Sequence, residues 1–199
     1  MITNIYFVRH GRTTNKDNVF YGRLPRVSLS ELGREQVKCS ANYLKSKNIT
    51  KIISSSLLRA RQSAAIISET IGCDKVSRSN LVTEINSYME GMPFKFGKAS
   101  KFDHYFSPLR KPENETMTDI RDRMIRFVNS VVKKNKGKNV VAIAHGDPFM
   151  ILMAELKGLP MELSSIRLGE GTYVKYGEIY LIQIENNNRT INSVFYPNI

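Results

Sequence analysis

Short apolar runs alternate along this chain with longer segments of helical periodicity, and this alternation restricts the possible fold class more than any other feature. Short and almost entirely apolar runs predict buried strands at residues 2–8, 51–54 and 139–144. Apolar side chains that recur every three or four positions predict helices at residues 28–47, 57–71 and 116–134, with another opening near Pro148. The alternation predicts an α/β fold, with a mostly parallel central sheet and helices on both faces.

Two further regions have weaker patterns. Residues 173–175 and 179–184 flank Gly177, which predicts a β-hairpin that turns at this glycine, and residues 193–196 predict a last short strand. Residues 81–107 have no clean periodicity. They are predicted to form a long surface loop, and loops of this length in compact domains are often functional.

Length and composition exclude several classes of protein. Residues 1–199 are interpreted as a single domain, because domains commonly have about 100–200 residues. No apolar run reaches the roughly 18 residues that a membrane span needs, and the short N-terminal apolar stretch ends in charge at Arg9. We therefore predict a cytoplasmic protein with no membrane partner. Cys39 and Cys73 lack zinc-ligand spacing and are predicted to be free core thiols.

The charge balance is strongly basic. Thirty Lys and Arg residues face 18 Asp and Glu residues, which gives a net charge of +12. Such an excess favours an anionic partner, such as a phosphorylated metabolite, a phosphoprotein, a membrane surface or nucleic acid. The lysines are spread along the chain without regularly spaced stacking aromatics, so nucleic acid is not the expected partner. Nucleic-acid binding stays open as an alternative that salt-dependent retention on DNA would test.

Two predicted strands end in a histidine followed by a glycine. Arg9, His10 and Gly11 follow the first strand, and His145 with Gly146 follows the strand at 139–144. Ligands of open α/β sheets bind beyond the carboxyl ends of the strands, so both histidines are candidates for one site. A neutral imidazole is a competent nucleophile toward phosphorus, and an adjacent guanidinium gathers phosphate oxygens.

A third candidate lies at the start of the helix predicted at 57–71. Serines at a helix start leave backbone N–H groups facing an incoming anion. Arg59 lies in the first helical turn, where a positive charge opposes the helix dipole. A structural arginine would gain little there, whereas an arginine that binds phosphate would. Arg61 is interpreted as part of a solvated basic face.

Taken in order, several motifs resemble those of a known family. They are Arg-His-Gly at 9–11, LSELGREQ at 29–36, S-x-L-x-R-A-x-Q-S-A at 55–64, Leu-Val-Thr-Glu at 81–84 in place of an acidic L-x-E motif, with Glu-Gly at 90–91, and His-Gly at 145–146. Each motif is weak alone, but the set in this order spans most of the chain. The sequence is similar to the histidine phosphatase superfamily, in the branch that contains cofactor-dependent phosphoglycerate mutase and its phosphatase relatives.

The resemblance implies a phosphoglycerate mutase-like fold and a role for each motif. It implies that His10 is phosphorylated in a covalent intermediate and that Glu84 donates a proton to the leaving oxygen and then activates water. It implies that Arg9, Arg59 and His145 bind the phosphoryl oxygens and stabilise the transition state. No metal and no other cofactor is expected.

The sequence departs from the family pattern in two places. The family usually has asparagine six residues after the nucleophile, where this chain has Lys16, so Asn15 is the candidate phosphate ligand one position earlier. The segment after Glu84 is one residue shorter than usual and lacks the common glycine-aromatic pair. His104 belongs to no motif and is interpreted as a loop residue.

Hydrolysis of a small phosphorylated metabolite is the first functional prediction. Mutases of the family tend to have a longer segment after the acidic residue and an E-R-H-Y-G-like string, of which only His104-Tyr105 is present. Mutase activity is the second hypothesis. A binding module that has lost its chemistry is the third, although intact His10, Glu84 and His145 argue against it.

The sequence does not identify the substrate. Aromatic and basic residues in predicted loops are candidates for the rim of the pocket; they are Phe20, Tyr21, Arg23, Arg26, Tyr88, Met89, Phe94 and Phe96. Such a rim could hold a sugar phosphate, a glycerate or a nucleotide, or could be ordinary packing under loops. Oligomeric state is not indicated.

Overall fold

The computed structural model describes residues 1–167, 173–186 and 188–199. Its strands are β1 Thr3–Arg9, β2 Ile49–Ser54, β3 Val76–Arg78, β4 Asn139–Ala144, β5 Ile179–Glu185 and β6 Asn188–Phe195. They form one six-stranded sheet in the order β3-β2-β4-β1-β5-β6. The first four strands of that order pair in parallel, whereas β5 is antiparallel to β1 and β6 is antiparallel to β5. The predicted α/β class with a mostly parallel sheet is confirmed.

Helices cover both faces of the sheet. They are α1 Glu31–Leu44, α2 Leu58–Ile71, α3 Phe94–Ala99, α4 Met117–Lys134, α5 Gly146–Leu156 and α6 Leu163–Ile166, with a one-turn 3-10 helix at Asn80–Val82. Alternate residues of β1 enter two cores, as a pleated strand requires. Ile5 and Phe7 pack in the core that includes residues of α4 and α5, and Tyr6 and Val8 pack in the core that includes residues of α1 and α2. No helix within these described ranges is long and apolar enough to cross a membrane.

The pairing of β1 with β4 determines where the site lies. Arg9 is opposite Ala144 in this parallel pair, and the His10 amide donates to the Ala144 carbonyl at 3.2 Å. The residues that follow the two strands, His10 and His145, therefore leave the sheet side by side. Strand β2 lies on the other side of β4, and the Ser55 amide donates to the Ile143 carbonyl at 3.0 Å. Three strand ends thus meet at one edge of the sheet.

The prediction of a β-hairpin that turns at Gly177 is wrong. Residues 173–175 form no strand, and the hairpin consists of β5 and β6, with Asn186 between them. The Gly177 amide instead donates to the Arg9 carbonyl at 3.0 Å, so this glycine caps the end of β1. The strand predicted at 193–196 is the end of β6, an exposed edge strand whose polar residues conceal its full length.

The interpretation of residues 81–107 as a surface loop is wrong in part. This segment contains α3, which is too short and too glycine-containing to show a helical period. Val82, Ile85 and Met89 are buried in it. The three-residue strand β3 was not predicted either, because so short and largely exposed a strand shows no run of apolar residues. Cys39 and Cys73 are free thiols, as predicted, but only Cys73 lies in the core, whereas Cys39 is half-buried.

Two glycines allow the loop after β1 to touch the start of α1. A Cβ atom added to Gly33 would lie 1.9 Å from the Arg12 carbonyl oxygen, and one added to Gly11 would lie 2.1 Å from the Gly33 carbonyl oxygen. Ser30 caps the same helix end, where its hydroxyl accepts from the Gly33 amide at 3.1 Å. The backbone that follows His10 is thus packed directly against a helix terminus.

Gly33→Ala is expected to destabilise the protein, although alanine is the better helix former by about 1 kcal/mol. The methyl group has no room beside the Arg12 carbonyl, and overpacking of this kind costs about 1–3 kcal/mol. Urea denaturation measures the change in the free energy of unfolding. Asn42→Ala, at an exposed position of the same helix, is the control and should be neutral or slightly stabilising. A Gly33→Ala protein as stable as the control would contradict this close approach.

Candidate active site

The strand ends bring two buried histidines together. His10 is 1% exposed and His145 is fully buried. Their ring centroids lie 5.0 Å apart at an interplanar angle of 60°. Arg59, in the first turn of α2, reaches the same place and is also fully buried. His10 follows β1, His145 follows β4, and Arg59 lies in the helix that follows β2. The site therefore depends on the order of these strands in the sheet.

The hydrogen bonds of His10 fix its tautomer. Its Nδ1 lies 2.8 Å from the Gly11 carbonyl oxygen, and its Nε2 lies 3.2 Å from Arg59 Nε. Because a carbonyl only accepts and a guanidinium only donates, Nδ1 carries the proton and Nε2 presents its lone pair. Burial lowers the pKa of His10 well below the usual histidine range, and the positive charges of Arg59 and Arg9 lower it further. The ring is therefore neutral and suited to act as a nucleophile.

Arg59 and Arg9 hold positive charge beside this lone pair. Arg59 donates from Nη2 to the Gly22 carbonyl at 2.7 Å and lies over the Tyr21 ring at 4.8 Å. Arg9 donates from Nη1 to the Val174 carbonyl at 2.5 Å. Neither guanidinium forms a salt bridge to a carboxylate in the part of the chain that the structure describes. The local positive charge is thus not neutralised by an ion pair.

Glu84 and His145 complete the set predicted from the sequence. His145 Nε2 lies 2.8 Å from the Ser55 hydroxyl, and its Nδ1 lies 3.9 Å from Glu84 Oε2. Glu84 Oε1 accepts from the Ile85 amide at 3.0 Å. Burial raises the pKa of Glu84, and the nearby charge of Asp147 raises it further, against the opposing effect of Arg59. A raised pKa favours the protonated form that a general acid requires.

Buried nitrogen atoms without a partner are concentrated at this site. Within the described residues, four buried side-chain polar atoms lack a hydrogen bond; they are Arg9 Nε, Arg59 Nη1, His145 Nδ1 and Thr83 Oγ1. Three of them belong to groups around His10, and the fourth belongs to the residue before Glu84. Leaving such atoms unpaired costs free energy, so a ligand that accepts several hydrogen bonds would stabilise this arrangement.

Asn15 lies near the site, but its side chain already forms two hydrogen bonds within its own loop. Its Oδ1 accepts from the Val19 amide at 3.2 Å, and its Nδ2 donates to the Val19 carbonyl at 2.8 Å. Because an amide nitrogen has two hydrogens, one N–H of Asn15 is left for a ligand. Asn15 lines a cavity of about 630 Å³ together with Arg9 and Glu84. Lys16 is exposed and does not line this cavity.

Two arginines hold the backbone of Glu84, a role that the sequence did not predict for either of them. Its carbonyl oxygen accepts from Arg23 Nε at 2.7 Å and from Arg123 Nη2 at 3.4 Å. Glu115 forms salt bridges of 2.8 Å with both arginines. These contacts join segments that are far apart in sequence, and no local pattern indicates them. The sequence predicts Arg23 only as part of the pocket rim.

Asp147 anchors a second network at the cavity wall. Its carboxylate accepts from Arg167 at 2.8 and 2.9 Å, from the Tyr105 hydroxyl at 2.7 Å and from the Tyr173 hydroxyl. Burial opposes ionisation, but Arg167 outweighs it and holds the pKa of Asp147 well below its usual range. The Arg9 guanidinium lies 5.3 Å from the centre of the Tyr173 ring and 4.0 Å from that of Tyr176. This network therefore supports one of the candidate phosphate ligands.

All three histidines of the chain are expected to be neutral at the ordinary histidine pKa of about 6.5, where a free imidazole would be half protonated. Burial is the main cause in each case: it lowers the pKa of His10 and His145 well below the usual range and that of His104 to about 4. NMR titration of the ring resonances in phosphate-free buffer checks this. A ring that titrates near the ordinary histidine value would contradict the buried geometry.

No three His, Cys, Asp or Glu side chains are grouped to hold a metal ion within residues 1–167, 173–186 and 188–199.

Comparison with known proteins identifies the family. The model of the histidine phosphatase superfamily (branch 1) matches residues 5–195, and the chain belongs to this family. It is 28% identical over 168 residues to the uncharacterized phosphatase PhoE of Bacillus subtilis (strain 168), covering 84% of each chain. It is 30% identical over 165 residues to the probable phosphoglycerate mutase GpmB of Yersinia pestis (strain Pestoides F), covering 78% of this chain and 75% of that protein.

The fold agrees with this assignment. The native structure of the mycobacterial glucosyl-3-phosphoglycerate phosphatase Rv2419c superposes with a TM-score of 0.78 at 22% identity, covering 98% of this chain and 99% of that one. The predicted family and the predicted phosphoglycerate mutase-like fold are therefore confirmed. The relatives are named both as a phosphatase and as a probable mutase, so the reaction of this chain is argued from its own site.

Proposed function

We propose that this protein hydrolyses small phosphomonoesters through a phosphohistidine intermediate on His10. The observation that carries the proposal is the position of the unpaired nitrogens of Arg9, Arg59 and His145 around a buried, neutral imidazole. A phosphoryl group is a tetrahedral anion whose oxygens accept several hydrogen bonds. It would satisfy these atoms and neutralise the charge of the two arginines. Asn15 is proposed to add one further hydrogen bond from the cavity wall.

The reaction has two steps. His10 Nε2 attacks phosphorus and forms the N–P bond, while the P–O bond to the alcohol breaks and Glu84 gives its proton to the leaving oxygen. Water then attacks the phosphohistidine, with Glu84 accepting a proton, and the N–P bond breaks to release phosphate. In both steps Arg9, Arg59 and His145 stabilise the charge that develops on the phosphoryl oxygens.

Mutase activity is the second candidate, supported by the 30% identity to a probable phosphoglycerate mutase. Hydrolysis is preferred because the segment between Glu84 and α4 is modest in length and lacks the mutase string. The two are distinguished by whether 3-phosphoglycerate yields 2-phosphoglycerate or inorganic phosphate.

We propose, as the sequence predicts, that the substrate is a small phosphorylated molecule and that the protein acts in the cytoplasm. The inactive-module hypothesis predicts phosphate binding without turnover.

The experiment that tests the proposal is phosphate release from nitrophenyl phosphate and from a panel of phosphorylated metabolites. Activity is expected to be unchanged in excess EDTA. The positive charge that a divalent cation would bring to a phosphoryl group is supplied here by two buried or half-buried arginines. Activity lost on chelation and restored by magnesium would contradict this mechanism.

A further inference from the structure

The cavity that Arg9 and Glu84 line has a second part whose chemistry differs from that of the phosphate site. Besides Arg9 and Glu84, its wall includes Phe20, Phe94, Phe102 and the imidazole of His104. The three phenylalanines are half-buried, so ring surface is left accessible. His104, interpreted from sequence as a loop residue without a role, lies in a loop but is only 2% exposed.

Backbone pairing holds this aromatic wall in place. The Phe20 amide donates to the Met92 carbonyl at 2.8 Å, and the Phe94 amide donates to the Asn18 carbonyl at 2.8 Å. The Phe102 ring lies against Gly97, where a Cβ atom would come within 2.7 Å of it, and its centroid is 5.3 Å from that of Phe94. Hydrogen bonds therefore hold the backbone of Phe20 and Phe94, and the Phe94 and Phe102 rings pack against each other.

His104 adds a neutral polar group to the wall. Its ring centroid lies 4.5 Å from that of Phe20, and its Nδ1 lies 2.9 Å from the Ser87 hydroxyl. Nε2 has no hydrogen-bond partner among the described residues and is the ring nitrogen left to meet a ligand. Burial lowers the pKa of His104 to about 4, so the ring carries no charge at neutral pH. It can exchange a hydrogen bond with a neutral polar atom but offers no charge to a carboxylate.

The half-buried arginine of this part of the cavity is already paired. Arg167 lines the wall but points two of its nitrogens at the Asp147 carboxylate, at 2.8 and 2.9 Å. Arg12 also lines the cavity and is exposed, so it is a cation that favours an acidic leaving group. A second phosphate or a carboxylate could thus bind one exposed guanidinium here, whereas a flat ring could pack on three aromatic side chains.

We propose that this enzyme prefers phosphomonoesters whose alcohol carries a flat heteroaromatic ring, which packs on Phe20, Phe94 and Phe102 and hydrogen-bonds His104. The proposal rests on the proposed function, because the phosphoryl group of the same molecule must reach His10. Aromatic packing supplies most of the ring's affinity, and the single neutral hydrogen bond orients it. Nucleoside 5′-monophosphates belong to this substrate class.

Adenosine 5′-monophosphate and ribose 5-phosphate make a matched pair of probes. Both release phosphate from the same primary C5′ oxygen, and they differ in the presence of the base. Stacking on aromatic side chains predicts kcat/KM about 10- to 100-fold higher for the nucleotide. Equal values for the two substrates, or a higher value for 3-phosphoglycerate than for the nucleotide, would overturn the inference while leaving the phosphatase proposal intact.

Two variants distinguish the contribution of the aromatic wall to substrate preference from a general effect on folding. Phe102→Leu should lower the ratio of the two kcat/KM values toward one. Phe106→Leu is the matched control, because Phe106 lies on the same segment but is 61% exposed and does not line the cavity. It should keep the wild-type ratio. A ratio that is unchanged in folded Phe102→Leu would contradict the assigned role of this ring.

A binding measurement keeps the inference testable without turnover. Calorimetric titration of adenosine into the His10→Ala protein should give saturable binding that ribose does not give. Absence of adenosine binding would overturn the inference. If the wild-type protein released no phosphate from any ester, including nitrophenyl phosphate, the proposed function would fail, and adenosine binding would still decide whether the wall recognises a ring.

Discussion

His10→Ala should abolish phosphate release, with a loss of at least about 10,000-fold, the scale seen when a catalytic nucleophile is removed. Alanine has no lone pair to attack phosphorus, and the change removes the ring nitrogen that lies 3.2 Å from Arg59 Nε. Initial rates with nitrophenyl phosphate measure the effect. Circular dichroism and the urea midpoint establish that the variant is folded.

The control for this experiment is His145→Ala. His145 is proposed to stabilise developing charge as one of several groups, so its removal should cost about 100- to 1,000-fold and leave a measurable rate. The difference between the two histidines separates a nucleophile from a charge-stabilising group. Equal residual rates in the two variants would contradict the assigned roles, since the two rings are equally buried.

Glu84→Gln should reduce the hydrolysis of alkyl phosphates by about 100- to 10,000-fold, the usual contribution of general acid catalysis. An alkoxide from a sugar or glycerate needs a proton in order to leave, whereas nitrophenolate leaves readily as an anion. The variant should therefore still be phosphorylated by nitrophenyl phosphate. Because the same carboxylate is proposed to activate water, nitrophenol should appear as a burst followed by slow turnover.

The pH dependence follows from the same carboxyl group. Burial raises the pKa of Glu84, so it keeps its proton to a higher pH than an ordinary glutamate. Alkyl phosphate hydrolysis should fall as the pH rises through this pKa, and phosphorylation by nitrophenyl phosphate should fall less. An equal loss of phosphorylation rate with both substrates in Glu84→Gln would identify another residue as the acid. Glu90 is the nearest candidate in sequence.

The parts of the site at strand ends were predictable from sequence. In a parallel sheet a short apolar run fixes where a strand stops, and the next residue projects at the edge where ligands bind. His10 and His145 follow such runs and come together because β1 and β4 are neighbours. Arg59 was indicated by its position against the helix dipole. Its full burial confirms that it is no surface arginine.

The rest of the site depends on contacts without a local signal. Glu84 was identified only through the resemblance, because the groups that fix it, Arg23, Glu115 and Arg123, are scattered along the chain. His104 has no periodic neighbours, and its burial results from packing between Phe20 and Tyr105. The edge strands β3 and β6 were missed or only partly predicted for a related reason. A strand without a buried face has no alternation of polar and apolar residues to detect.

Trapping the phosphoenzyme tests the central claim most directly. Wild-type protein mixed with nitrophenyl phosphate and quenched in alkali should carry phosphate on the peptide that contains His10, located by mass spectrometry. The modification should survive alkali and be lost in acid, and Glu84→Gln should accumulate more of it than the wild-type protein. Phosphate on a serine such as Ser55 or on an aspartate, or turnover without any labelled histidine, would contradict the mechanism.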